Sequence, residues 1–271
     1  NSSGVADNRN ALIEADPLGA VLYGDVKSFP ANDKRRVLNA LGREAQRYPW
    51  FRSQDWNAPP FGSLADRESA TCFRDILESS DRDQAHESFV DCVLEAIRHG
   101  DPLPEIGDTL LAVARDDSRW PVNRKSAVEA FIHATNGLPG PLRALLDDIT
   151  GGRVADGDDE LTGMLLSALY PQHASSSEIL TYLHPAKDPR LIGHYLMFWS
   201  RDFLERTPAS EIPALADRFA VALKSLPPLL DDFHFRRLSG ELLVKALQLS
   251  GDSAAPERIW RWLGIGLDEH A

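Results

Sequence analysis

The chain has 271 residues with 43% hydrophobic content, which is ample for a packed interior and longer than one compact core usually supports. Asp and Glu outnumber Lys and Arg by 41 to 29, a net charge of −12 that disfavours duplex nucleic acid and anionic lipid as partners. Only Cys72 and Cys92 are present, both in apolar helical patterns that suit reduced core thiols of a cytoplasmic protein, and no uninterrupted apolar run approaches the ~18 residues of a membrane span.

Taken in order, the apolar residues recur at helical spacing. Val37, Leu38, Leu41, Ala45 and Tyr48 form a first stripe, with Pro30 and Asp33 near its start. Phe89, Val90, Val93, Leu94 and Ile97 form a second, which stops at Gly100 and Pro102 because glycine accepts the conformation that closes a helix and proline cannot continue one. Ala127, Val128, Phe131 and Ile132 make a third, ended by Gly137 and Pro139, and Leu161, Met164, Leu165, Ala168 and Leu169 a fourth, ended by Pro171. Between these two lies 151–157, a run with three glycines and no apolar period that predicts a loop, read either as a hinge or as a long surface connection.

Start signals are clearer downstream. Ser175 and Glu178 have capping-box spacing, in which each side chain satisfies a free backbone N–H of the other. Asp188-Pro189 predicts another helix start, followed by Leu191, Ile192, Tyr195, Leu196, Phe198, Trp199 and Phe203, apolar around so much of the circumference that the helix should be central. Ser210 with Glu211 opens a further helix that closes before Pro227-Pro228. Phe235, Leu238, Leu242, Ala246 and Leu249 give another stripe, and 259–267 a final short one. No alternating β-branched run is followed by a tight hairpin turn. The expectation is an all-α fold of about a dozen helices without a sheet, arranged as an irregular α-solenoid of HEAT- or armadillo-like hairpins or as an ordinary bundle. The halves are 1–150 and 158–271, joined through 151–157, and Asn1-Ser2-Ser3-Gly4 reads as a tag remnant or as a cut into a longer chain, the second being the expectation.

Reactive constellations are scarce. The sequence has no GxxxxGK[ST] phosphate loop, GxGxxG, GxSxG, HExxH or zinc-spaced cysteine pair, so no catalytic residue, cofactor or metal ligand is assigned. Glu95 with His99 and Glu129 with His133 place two groups on one helix face, a spacing that also describes a solvated pair near a helix C-terminus. Asp156, Asp158, Asp159 and Glu160 lack the order of a calcium loop and fit helix-capping charges better. Trp50, Phe51, Trp56 and Phe61, set among prolines after the first stripe, are the candidate partner-binding residues, since aromatic anchors dominate interface energetics. The competing reading is that these rings plug the end of the helical stack.

Two segments carry a family resemblance. EILTYLHPAKDPRLIGHYLMFW (Glu178 to Trp199), with Asp159-Glu160-Leu161 through Tyr170-Pro171 before it, resembles the helical region of large bacterial P-loop NTPases of the NACHT/STAND signal-transducing type. DPLGAVLYGDVKSFPANDKRRVLNAL (Asp16 to Leu41) resembles the stretch that follows the nucleotidase module there. The resemblance implies a helical scaffold or sensor that binds a protein or peptide, or an NTPase domain upstream in the same polypeptide. ATPase activity does not transfer, because the phosphate-binding motif is missing. DDSRWPVNRKSAVEAF (Asp116 to Phe131) is similar to one HEAT unit. The alternative is an enzyme on such a scaffold, like the alkylpurine DNA glycosylases, with Trp120 and Asp116 or Asp117 at its centre; the acidic balance argues against the basic groove this needs.

Overall fold

The computed structural model describes residues 2–53, 57–226, 229, 232–250 and 254–263, with side chains described from residue 8 onward except Ser225. The fold is all-α: no strand occurs among the described residues, and none of their helices is long and apolar enough to cross a membrane. The chain forms two compact units, residues 1–141 and 142–271.

The first unit contains α1 (Ser2–Ala15), α2 (Pro17–Tyr23), α3 (Ala31–Arg47), α4 (Ala70–Leu77), α5 (Gln84–His99), α6 (Gly107–Arg115) and α7 (Pro121–Thr135). Their boundaries follow local chemistry. Asp16 accepts the Gly19 N–H at 2.8 Å to cap α2, and Asp83 accepts the His86 N–H at 2.7 Å to cap α5. α7 begins with Pro121 in its first turn and ends at Asn136 and Gly137, whose φ angles of 54° and 69° close the helix through a Gly137 N–H to Ile132 carbonyl bond of 2.9 Å.

Helix α5 is the centre of this unit, packed by α3, α7 and the 3-10 turn Pro59–Leu64. Val90, Val93, Leu94 and Ile97 on its apolar stripe are fully buried. The 3-10 turn can lie against the end of α5 only because two glycines face each other there. A Cβ on Gly62 would stand 2.2 Å from the His99 carbonyl oxygen, and one on Gly100 would stand 2.6 Å from the Gly62 carbonyl oxygen.

The turn between α6 and α7 is locked by a buried polar hub. Glu87 of α5, with no exposed surface, accepts from Arg119 Nη1 at 2.9 Å, the Trp120 backbone N–H at 3.0 Å and Asn123 Nδ2 at 2.8 Å. Arg119 also donates to the Leu77 carbonyl, and Arg124 Nε donates to the Ala114 carbonyl at the end of α6. The segment Asp116 to Phe131 is the turn after α6 and most of α7, and its polar residues fasten that turn to α5.

The division between units falls within α8 (Pro139–Thr150). The second unit continues with α9 (Glu160–Leu169), α10 (Ser176–Ile179), α11 (His194–Met197), α12 (Phe203–Arg206), α13 (Ile212–Ser225), α14 (Phe233–Ser250) and α15 (Pro256–Leu263). A π-helical turn, Phe198–Asp202, joins α11 to α12. Phe198, Trp199 and Phe203 are buried there with Tyr170 and Tyr195, with Trp199 and Phe203 rings 4.9 Å apart and Tyr170 and Phe203 rings 5.1 Å apart. Such aromatic pairs each add roughly 0.5–1.5 kcal/mol beyond their buried area.

The loop 151–157 is a turn with Gly152 at φ 71°, and Asp156 at its end caps α9 through Leu161 N–H at 3.1 Å and Thr162 N–H at 2.8 Å. The capping box at Ser175 and Glu178 forms with both of its reciprocal bonds. The helix expected at Asp188-Pro189 does not form. Asp159, fully buried, accepts the Lys187 backbone N–H at 2.8 Å and pairs with its ammonium at 2.8 Å, and so holds that segment in a bend and turn. The helix starts instead at His194, where Glu160 supplies the acceptor for the first free N–H at 2.5 Å. Leu191 and Ile192, placed by periodicity in the central helix, are consequently exposed.

Candidate functional site

The 3-10 turn and α5 together hold the aromatic loop that precedes them. Phe61 is fully buried beneath the Arg52 guanidinium, which lies 4.4 Å over its ring. Arg52 in turn reaches α5: its Nη1 is 2.5 Å from Glu95 Oε2 and 3.4 Å from Asp91 Oδ2. This anchors the stretch Pro49 to Ser53 beside the N-terminus of α7, where Trp120 waits. Trp50, half exposed, stacks on Trp120 with centroids 6.2 Å apart and planes 19° from parallel.

These pieces enclose an open cleft of about 340 Å³ within the first unit. Its walls are mainly apolar, from Pro49, Trp50, Phe51, Trp120 and Val122, and its polar lining comes from α5 together with Arg52, Ser53 and Ser126. Ser88, Asp91, Glu95 and Arg98 lie at spacings of three, four and three, so they form one polar stripe along that helix. The volume is in the range of small-ligand and side-chain pockets, and the mixture of aromatic wall with few convergent polar groups is the usual composition of such sites.

The electrostatics of the stripe are uneven. Arg98 is committed to Glu129 of α7 at 2.6 Å. Arg52 is therefore shared between Glu95, held closely, and Asp91, held loosely. Burial pushes the carboxyl groups of both Asp91 and Glu95 above the usual range, and the attraction of Arg52 only partly opposes it. Beneath them Cys92 is fully buried, and burial raises its thiol pKa to about 12, which makes it a packing group and not a nucleophile.

Of the four aromatic residues singled out by sequence, the structure brings Trp50 and Phe51 to the cleft and puts Phe61 in the core as its support; Trp56 lies outside the described residues. Sequence reasoning did not join Trp120 to this loop, and it gave Asp91 no role. The polar stripe of α5 was the signal that could have found that face. The Glu-x-x-x-His pairs do not act as pairs: Glu95 turns to Arg52, Glu129 to Arg98, and His133 Nε2 contacts the Gly100 carbonyl at 2.8 Å. No group of three or more His, Cys, Asp or Glu side chains suited to a metal ion occurs among the described residues. Asp116, held low chiefly by the Ser118 and Arg82 side chains against the effect of burial, sits 2.5 Å from Arg82, and Asp117 sits 3.1 Å from Arg124; neither lines the cleft.

Protein-family models, curated proteins and solved structures were all compared with this chain. None matches.

Proposed function

We propose that this chain is a non-catalytic helical recognition module that binds a protein or peptide partner through the cleft of its first unit, and that it serves as a scaffold or sensor within a larger cytoplasmic regulator of the NACHT/STAND type that two of its segments resemble. The observation that carries this reading is the Trp50–Trp120 pair, two large rings held at the mouth of a preformed apolar cleft. Tryptophan contributes a large contact area at a small entropic cost, and exposed aromatic anchors beside a pocket are the usual centre of an interface. The buried hub at Glu87 fixes the backbone of Trp120, so one anchor is preorganised and little ordering is needed on binding.

Selection of random peptides displayed on phage tests this reading. Sequences enriched on the wild-type chain should be lost on W50A, whose side chain is half exposed and supports no core residue. Equal enrichment on both would remove the cleft from consideration.

One observation favours a second reading, the glycosylase-like enzyme. A carboxylate near aromatic side chains is the arrangement such chemistry needs, and Asp91, which lines the cleft with Trp50 and Trp120, supplies it in place of Asp116 or Asp117. The net charge of −12 opposes the required duplex binding. Measurable affinity for an alkylated duplex at low salt, lost in D91N, would favour the enzyme over the recognition module.

A further inference from the structure

We propose that the cleft receives a proline-rich segment of the partner, held in the extended polyproline II conformation. This rests on the docking reading above and adds the chemistry of the occupant. The charged residues of the lining balance, with Asp91 and Glu95 against Arg52 and Arg98. A charged side chain entering this mainly apolar cleft would lose hydration without meeting an unanswered countercharge. The cleft therefore favours a neutral occupant.

The hydrogen-bonding groups of the lining are less even. Arg52 Nη1 lies 2.5 Å from Glu95 Oε2 and 3.4 Å from Asp91 Oδ2, so both carboxylates are directed at one nitrogen. The rest of that guanidinium is unanswered: Arg52 is 6% exposed, and its Nε and Nη2 are buried without an acceptor. Among the described residues, no hydrogen bond holds the indole N–H of Trp50 or of Trp120 either. The lining has donors to spare while its carboxylates are engaged. An ordinary extended segment brings one N–H with every carbonyl, and an N–H stranded against such a lining costs affinity. Proline brings the carbonyl without the N–H. Its ring packs on indole, and its fixed φ leaves little freedom to lose on binding. The Trp50 and Trp120 centroids are 6.2 Å apart, too close for a third ring between them, since two stacking gaps need about 7 Å. The pair instead offers its outer faces and edges, which with Pro49, Phe51 and Val122 form a surface for successive proline rings. A cleft of about 340 Å³ takes a short stretch of extended chain, not a folded element.

The test uses the intact chain with blocked hexaproline, blocked hexa-alanine, and hexaproline carrying a central lysine or glutamate. The indole N–H resonances are assigned with W50F and W120F. Hexaproline should shift the Trp50 and Trp120 signals saturably, and hexa-alanine should bind at least about tenfold more weakly. Lysine and glutamate should each weaken hexaproline, and W50A should lose it while keeping an unaltered melting curve. Equal binding of alanine and proline, or tighter binding of either charged peptide, overturns the proline inference and leaves the cleft as a docking site. Indole signals that respond to none of these peptides also overturn it, and the docking reading falls with it if phage selection likewise yields nothing that is lost on W50A.

Discussion

Substitution of Glu87 by alanine removes the one acceptor that answers three donors at once. Arg119, whose side chain is 1% exposed, would keep its charge with its nearest carboxylate gone and Asp116 3.7 Å away, and the Trp120 N–H and Asn123 Nδ2 would each lose an acceptor at 3.0 and 2.8 Å. Breaking a buried ion pair from one side costs about 3–5 kcal/mol, because the remaining charge stays desolvated. Since 1 kcal/mol shifts the midpoint of a domain of this size by ~2–4 °C, the melting transition of the first unit should fall by roughly 6–20 °C. Circular dichroism melts of E87A, and of E87Q, R119M and the E87Q/R119M pair as a closed cycle, measure this directly. The pair removes both charges while Gln keeps an acceptor for Trp120, so it should recover a large part of the loss, with a coupling of about 2 kcal/mol or more. A loss in E87A below about 1 kcal/mol, or strictly additive singles, would refute the claim that this hub holds the α6–α7 turn onto α5.

Further outcomes follow from the same structure. At pH 7, D91N should match or exceed the wild type in stability. Burial raises the Asp91 pKa above its unfolded value in spite of Arg52 from the aromatic loop and Arg98 from α5, with Glu95 alongside and Glu129 reached through Arg98, so the folded state binds the proton more tightly. The ionised group therefore costs stability above that raised pKa, and the difference between variant and wild type should vanish as pH falls through it; a D91N deficit that persists at neutral pH contradicts this. Cys92 should resist alkylation in the folded chain at pH 8 and react fully in denaturant, by mass spectrometry, because its thiol pKa is about 12; prompt native labelling would show that the site opens. G163A should destabilise the second unit by about 1–3 kcal/mol or more in urea, since the added Cβ would meet the Tyr195 backbone nitrogen at 2.2 Å, and an unchanged midpoint would place α9 farther from His194 than described.

Much of the helical framework was legible in the chain itself. The stripes of α3, α5, α7, α9 and α14, the capping box at Ser175, and the left-handed stop at Asn136 and Gly137 follow from local rules, because side-chain spacing and backbone conformation act within a few residues of themselves. Gly100, by contrast, ends α5 with φ −100° and is required by the approach of Gly62. The helix start at Asp188-Pro189 misled for an equally specific reason. Its cap chemistry was correct in isolation, but Asp159 and Glu160, distant in sequence, captured Lys187 and His194 and moved the start by several residues. Long-range hydrogen bonds to buried carboxylates outweigh a local preference of about 1 kcal/mol.

The site divides along the same line. Composition and periodicity established an acidic, all-helical chain with an aromatic, proline-rich loop after the first stripe, and Trp50 and Phe51 were candidates on that ground alone. That Trp50 meets Trp120, that Phe61 serves as a floor beneath Arg52, and that Asp91 shares Arg52 with Glu95 were decided by tertiary packing. Periodicity tells which face of a helix is buried, but the identity of the groups that meet across that face, and the balance of charge left when they do, is fixed only when separate segments are brought within a few ångströms of one another.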